Sequence, residues 1–354
     1  MKLLIPGPVN VEEKYLNLMA NSMIGHRSSA FQELYNNITN LIKELFNTNN
    51  DVFLITASAS GAMEAAIRNC VNENVLCIAN GDFGRRWHEI AIMNGKDSTV
   101  IDFNDATPYN YTQIEDALKI KKYDAVTVVL NETTCGIENN LEPIKKILLE
   151  YPNTLLLVDA VTAAFGTYIN LDKIDVLLFG TQKALALPPG MSITIVNKAV
   201  IKRATEVKNR GYYFDYLLMK KNNDKNFTVT TPNISLMYAL ENKLEDIKLE
   251  GINNYIKRHN ELSKLVRTEF LNLGFELLIE DANASNTVTV IKNNLNINIK
   301  RLQEEMHKNG FELANGYGKL KDITFRFGHM GLDKQTTIEA LELIRNIVKK
   351  INTN

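Results

Sequence analysis

The chain has 354 residues, 45% of them hydrophobic, and a formal net charge of −1. That length allows one large and one small domain around a sizeable core. So balanced a charge excludes an electrostatic nucleic-acid binder, which carries a basic excess or stripe, and no apolar run approaches the ~20 residues of a membrane span.

The apolar start at Leu3-Leu4-Ile5 is cut short by Pro6-Gly7-Pro8, which is not a signal-peptide pattern. Three cysteines, Cys70, Cys77 and Cys135, form no C-x-x-C pair, and the five histidines are scattered, so no structural metal is expected. Free thiols without a secretory signal predict a cytoplasmic protein. Lys220-Lys221 with Lys225, and Lys349-Lys350, read as solvated patches.

From about residue 50 to 200, short apolar strands alternate with helical segments, the pattern of a mostly parallel sheet flanked by helices. Val52-Phe53-Leu54-Ile55 is the first strand. Thr56-Ala57-Ser58-Ala59-Ser60-Gly61 leads from it into a helix of strong helix formers, residues 62–68. Small residues at such a junction let a ligand approach the backbone, and the free N–H groups of the helix start favour a phosphate. Ser58 is either a hydroxyl donor to that anion or the helix N-cap. Neither G-x-G-x-x-G nor a Walker lysine is present, so a nucleotide reading, and a nicotinamide dehydrogenase with it, lacks its signature.

A second strand, Val75 to Asn80, ends in Gly81-Asp82-Phe83-Gly84-Arg85-Arg86, which reads as a loop. Phe83 there either lies flat on a ring or packs into the core. Ala125 to Leu130 is a third strand, followed by Asn131-Glu132-Thr133-Thr134-Cys135-Gly136. A hydroxyl of Thr133 or of Thr134 is placed to hold a ligand, unless the segment is an ordinary turn.

Two further strands are near-continuous apolar runs, as in a sheet buried on both faces. Leu155-Leu156-Leu157-Val158 stops at Asp159, and Val176-Leu177-Leu178-Phe179 runs through Gly180-Thr181-Gln182 to Lys183, with Pro188-Pro189-Gly190 beyond. Ligands of such sheets bind outside the carboxyl ends of the strands. A carboxylate and an amine delivered there are what pyridoxal phosphate requires, the amine for its aldehyde and the acid for its pyridine nitrogen.

Residues 233–249 and 250–273 read as long helices, the second joining two domains. A strand at 288–291, a helix at 299–308, a strand at 323–327 and a terminal helix at 334–350 complete a smaller α/β unit. The domains expected are residues 1–254 and 255–354. The Asn-rich stretch 293–298 reads as a loop.

These pieces, in this order, resemble the class V aminotransferases of the fold type I pyridoxal-phosphate enzymes, and in particular the alanine–glyoxylate and serine–pyruvate branch. The likeness runs from Pro6-Gly7-Pro8 and Gly25-His26-Arg27 through Thr56 to Glu64, Gly81 to Gly84, Asn131 to Gly136, Val158-Asp159-Ala160-Val161 and Thr181-Gln182-Lys183. It closes on Phe325-Arg326-Phe327-Gly328-His329-Met330-Gly331.

The resemblance implies a seven-stranded, mostly parallel sheet with a smaller C-terminal domain, and pyridoxal 5'-phosphate as cofactor. It implies that Lys183 bonds the cofactor and moves the substrate proton, and that Asp159 keeps the ring nitrogen protonated. Ser58, Ala59, Ser60 and Gln182 would hold the phosphate, Phe83 would stack on the ring and Thr134 would touch the ring oxygen. Arg326 would clamp the substrate carboxylate, with Gly7 beside the substrate. Thr230, in Thr230-Thr231-Pro232-Asn233, would reach the neighbouring subunit's phosphate, which makes a homodimer. Ala57, Ala59, Ser60 and Cys135 depart from the residues usual in relatives, which leaves the substrate pocket open.

The activity implied is ping-pong amino transfer, through pyridoxamine phosphate, from alanine or serine to glyoxylate or pyruvate. One clamp favours small neutral amino acids. A second, should Arg27 face the pocket, would admit aspartate or 2-aminoethylphosphonate. His329 either lines the site or makes a structural hydrogen bond. A lyase on the same fold, such as a cysteine desulfurase, would need Cys135 as a mobile nucleophile, and Gln182 stands where such enzymes carry histidine before the lysine.

Overall fold

The structure, a computed structural model, describes residues 1–352. Its centre is a seven-stranded sheet of β1 (Asp51–Ile55), β2 (Asn74–Ala79), β3 (Asp97–Asp102), β4 (Ala125–Val129), β5 (Leu155–Asp159), β6 (Val176–Gly180) and β7 (Ser192–Val196). The spatial order is β1-β7-β6-β5-β4-β2-β3. Only β7 runs antiparallel, against β1 and β6.

Alternate residues of each strand point to opposite faces. Leu156, Val158, Leu177 and Phe179 therefore join one apolar cluster, and Leu155, Leu157, Val176 and Leu178 the other. Both faces are covered, which explains why these strands read as unbroken apolar runs. Burying each such side chain contributes about 1.5–3 kcal/mol, and the summed effect fixes the strand ends that carry the site.

The main helices are α1 (Ser29–Leu45), α2 (Ala59–Cys70), α3 (Asp82–Met93), α4 (Ile234–Glu250), α5 (Ile252–Asn272), α6 (Ile299–Lys308) and α7 (Lys334–Asn352). Gly251, at φ +84°, separates α4 from α5. That left-handed backbone suits glycine at a helix end. Tyr255, early in α5, belongs to the core of the large sheet, whereas Val266 and Phe270, later in the same helix, belong to the core of the smaller lobe. One rigid helix thus spans both.

The smaller lobe is a four-stranded sheet of β8 (Glu276–Leu277), β9 (Val288–Lys292), β10 (Ala314–Asn315) and β11 (Thr324–Gly328), in the order β8-β9-β11-β10. Lys2–Leu3 pairs in parallel with Phe311–Glu312, and Leu4 enters this lobe's core. The chain start therefore crosses from the small lobe to the large site. Residues 293–298 form the expected loop. Residues 81–86 do not: α3 begins at Asp82, so Phe83 lies in a helical first turn. Gly84 makes that possible, because a Cβ there would lie 2.6 Å from Ala79 Cα. No described helix is long and apolar enough to cross a membrane.

Candidate active site

A cavity of about 330 Å³ opens at the carboxyl ends of β1, β2, β4, β5 and β6. Gly7, Ser58, Ala59, Ser60, Phe83, Asp159, Gln182 and Lys183 all line it. The sequence placed these residues together, and the structure brings them together.

Asp159 ends β5, is 3% exposed, and accepts the Val161 N–H at Oδ1, 2.8 Å. Burial pushes its carboxyl up to about 6, against the downward pull of that N–H, Lys183 and Arg86. Lys183 follows β6 in a turn held by the Thr181 hydroxyl on Pro188 O, 2.7 Å, and by Tyr255, whose hydroxyl donates to Ala184 O, 2.6 Å. Its Nζ donates to Pro6 O at 2.5 Å. Burial and the Arg326 charge bring the Lys183 amine down to about 8. An amine so placed exchanges its proton near neutrality, which suits a nucleophile and base.

Ser58 is the N-cap of α2, but its side chain makes no capping hydrogen bond. Its hydroxyl and the first N–H groups of α2 are left for an anion.

Glu132 was not singled out by sequence reasoning. Fully buried, it accepts the N–H groups of Phe83 and Gly84 at Oε2, both 3.1 Å, and that of Thr134 at Oε1, 2.9 Å. Burial lifts its carboxyl to about 7. A carboxylate at a helix start satisfies the orphan N–H groups and the dipole together. Glu132 therefore pins the first turn of α3 and with it Phe83. The signal was available: a lone acid directly after a buried strand needs a partner.

Thr134 is turned away from the cavity, its hydroxyl accepting the Asp82 N–H at 3.2 Å. Thr133 lines the cavity instead, its hydroxyl 2.6 Å from that of Thr162. Arg86 also lines it, 4.6 Å from the Phe83 ring centroid and with no ion pair among the described residues. The Phe–x–x–Arg spacing, one helical turn, is the signal for that pair.

Arg326, on β11, donates through Nε to Asn315 O, 2.9 Å, and through Nη1 to Thr133 O, 3.4 Å, so it reaches the large lobe. Arg27 does not face this cavity. Its guanidinium donates to the carbonyls of Thr228, 2.8 Å, and Val229, 3.3 Å. Thr230 lies in a separate cleft with Thr56, Tyr213 and Thr228. His329 is buried between Thr289 Oγ1, 2.9 Å, and Asn286 O, 3.1 Å, and burial pushes its imidazole down to about 3. It is a structural, neutral histidine.

A buried acid and a buried amine on neighbouring strand ends, beside an anion-ready helix start, define the site of a fold type I pyridoxal-phosphate transferase. The profile of the aminotransferase class-V family matches residues 9–317. The chain is 36% identical over 342 residues to an uncharacterized aminotransferase of Methanocaldococcus jannaschii, covering 93% of this chain and 88% of that one. It is 31% identical to the small subunit of a soluble hydrogenase of Synechococcus, covering 97% and 92%. Among solved structures, an alanine–glyoxylate aminotransferase from Nostoc superposes with a TM-score of 0.93, with 27% identity and 98% and 94% coverage.

The chain belongs to the class-V aminotransferase family and is a pyridoxal-phosphate-dependent transaminase. The donor set suits that cofactor: an uncapped serine and helix start for its phosphate, a buried carboxylate for its ring nitrogen and a low-pKa amine for its aldehyde.

Proposed function

We propose that this enzyme moves an amino group from alanine or serine to glyoxylate or pyruvate in two half-reactions. The observation that carries the reading is that Lys183, Asp159 and the 58–60 junction line one cavity, with Arg326 reaching Thr133 O at its edge. The Nostoc structure, an alanine–glyoxylate aminotransferase, supports the substrate class. Pyridoxal phosphate, when bound, supplies an aldehyde that takes up the amino group and a protonated ring that draws electrons from the substrate carbon, alternating with pyridoxamine phosphate.

The chain's own residues do the rest. Lys183 would bond the cofactor's aldehyde, and its Nζ would carry a proton to and from the substrate. Asp159 keeps its charge against the ring nitrogen. Ser58, Ala59, Ser60 and Gln182 hold the phosphate, Phe83 flanks the ring, and Thr133 rather than Thr134 offers a hydroxyl to it. Arg326 takes the substrate carboxylate through paired N–H groups, a geometry a guanidinium offers and an ammonium does not. Gly7 leaves room beside Lys183.

Arg27 is committed to backbone carbonyls, and Arg86 is held over the Phe83 ring. That arrangement favours one carboxylate over two. Steady-state rates with alanine, serine, aspartate and 2-aminoethylphosphonate test it: alanine or serine should lead, and a preference for aspartate or the phosphonate would overturn the single-clamp reading.

The proposal includes a cytoplasmic homodimer in which Thr230 contacts the phosphate bound by the neighbouring subunit. It also includes a division into residues 1–254 and 255–354. A desulfurase reading runs against Cys135, which is fully buried, its thiol pushed up to about 12. A thiol so held is a poor nucleophile.

A further inference from the structure

We infer that Tyr317, on the small lobe, is a positioning residue that sets the Arg326 guanidinium for carboxylate capture by stacking it against the Phe83 platform of the large lobe. The inference rests on the transaminase reading for its substrates, though not for its geometry.

Three ring contacts link four groups across the two lobes. Arg86 stands 4.6 Å from the Phe83 ring centroid, Phe83 and Tyr317 are stacked at 6.2 Å and 17°, and Arg326 lies 5.4 Å from the Tyr317 centroid. Cations over ring faces are attracted by the ring quadrupole, more so where water is partly excluded. Arg326 is such a case, half-buried in its strand.

The backbone around Tyr317 is built for close approach. A Cβ on Gly318 would overlap the Asp82 carboxylate at the start of α3, and one on Gly316 would overlap Leu320 O. The segment therefore sits directly on the helix turn that carries Phe83. Among the described residues the Tyr317 hydroxyl makes no hydrogen bond, so the ring face rather than the phenol holds the arrangement.

The edges of the guanidinium tell the same story. Nε is committed to Asn315 O at 2.9 Å, whereas the Nη1 contact to Thr133 O is long, 3.4 Å. A carboxylate can replace that long contact and take both terminal nitrogens in a fork. The ring beneath keeps the fork from swinging away while it waits.

The test uses the cofactor-loaded enzyme and its Tyr317→Phe, Tyr317→Leu, Tyr317→Ala and Arg326→Gln variants. Pyruvate is titrated calorimetrically onto the pyridoxal form, which it binds without turnover, and KM and kcat are measured alongside. Tyr317→Phe should bind pyruvate like the wild type. Tyr317→Leu and Tyr317→Ala should weaken it about threefold to tenfold, the scale of a cation–ring contact, raising KM while kcat stays within about twofold. Arg326→Gln should bind pyruvate more weakly than any of these. Wild-type affinity in Tyr317→Leu and Tyr317→Ala would overturn the inference, as would equal damage in Tyr317→Phe or pyruvate binding untouched by Arg326→Gln. If no amino acid is transaminated yet pyruvate affinity follows the ring, the transaminase reading fails and the role of Tyr317 stands.

Discussion

Gly7 stands against Lys183 so closely that a Cβ on Gly7 would lie 2.8 Å from Lys183 Cδ and 3.0 Å from its Nζ. The preceding carbonyl, Pro6 O, is the acceptor of the Lys183 ammonium at 2.5 Å. The N-terminal segment is thus one wall of the lysine's channel, fixed from the other side by the pairing of Lys2–Leu3 with the small lobe. At φ +125° Gly7 has a backbone that side-chain-bearing residues rarely adopt.

Gly7→Ala should therefore displace Lys183 rather than unfold the chain. A misplacement of about 1 Å at a reacting group costs on the order of a hundredfold, so kcat should fall about tenfold to a hundredfold. The strained backbone should cost about 1–3 kcal/mol. Turnover and a thermal melt, taken together, check both; an unchanged kcat would show that the lysine does not use the space Gly7 leaves.

Buried groups make the stability of the cofactor-free chain depend on pH in opposing directions. Folding raises Glu132 from 4.5 to about 7 and Asp159 from 3.8 to about 6. At these two acids the folded chain binds more protons than the unfolded one from 3.8 to about 7, and their contribution to stability falls as pH rises through that window. Lys183 works in the opposite sense higher up: it is lowered from 10.5 to about 8, so between those values the unfolded chain holds the extra proton and stability rises with pH. His329 and His259, lowered from 6.5 to about 3 and about 4, oppose the two acids below pH 6.5, so the share of each acid is read as a difference between the wild type and its variant.

Glu132→Gln removes the Glu132 contribution, so its deficit in stability against the wild type should shrink as pH rises from 4.5 to about 7. It should also lower stability at pH 7.5 by about 1–3 kcal/mol, the scale of a buried donor left unpaired. An amide cannot face the Phe83 and Gly84 N–H groups with one end and the Thr134 N–H with the other without setting donor against donor. Melting curves against pH for both chains decide it.

Asp159→Asn keeps the shape of the side chain and removes its charge. Charge-assisted hydrogen bonds contribute about 1.5–3 kcal/mol, so cofactor affinity should weaken roughly tenfold to a hundredfold, with a slower proton-transfer step. Equilibrium dialysis of pyridoxal phosphate and a substrate deuterium isotope effect read the two consequences separately. A variant unchanged in both would make Asp159 a structural acid.

The strand ends were legible in the sequence because burial on both faces writes itself as unbroken apolar runs, so a charged residue that ends one stands out, as Asp159 and Lys183 do. Ser58 to Ser60 were legible only together with the strand ends, because small residues between a strand and a helix serve equally as caps and turns. The choice between Thr133 and Thr134 was not, because it depends on the rotation of a tight turn after β4 that either hydroxyl satisfies. Phe83 looked like a loop residue because glycines flank it, whereas Gly84 is there so that α3 can cross Ala79 closely. Tyr317 acquires meaning only from contacts between distant segments, and no local pattern encodes those.

The central claim is that Lys183 bonds pyridoxal phosphate and that the loaded enzyme takes up the amino group of an amino acid. The most direct measurement is the absorbance spectrum of the protein loaded with pyridoxal phosphate, before and after alanine is added, beside Lys183→Ala. The wild type should show a band near ~420 nm that moves towards ~330 nm with alanine, both positions being those of the cofactor's own chemistry, and Lys183→Ala should show neither the starting band nor turnover. A wild-type protein that stays colourless with the cofactor, or a Lys183→Ala variant that keeps the band and the activity, would contradict the account.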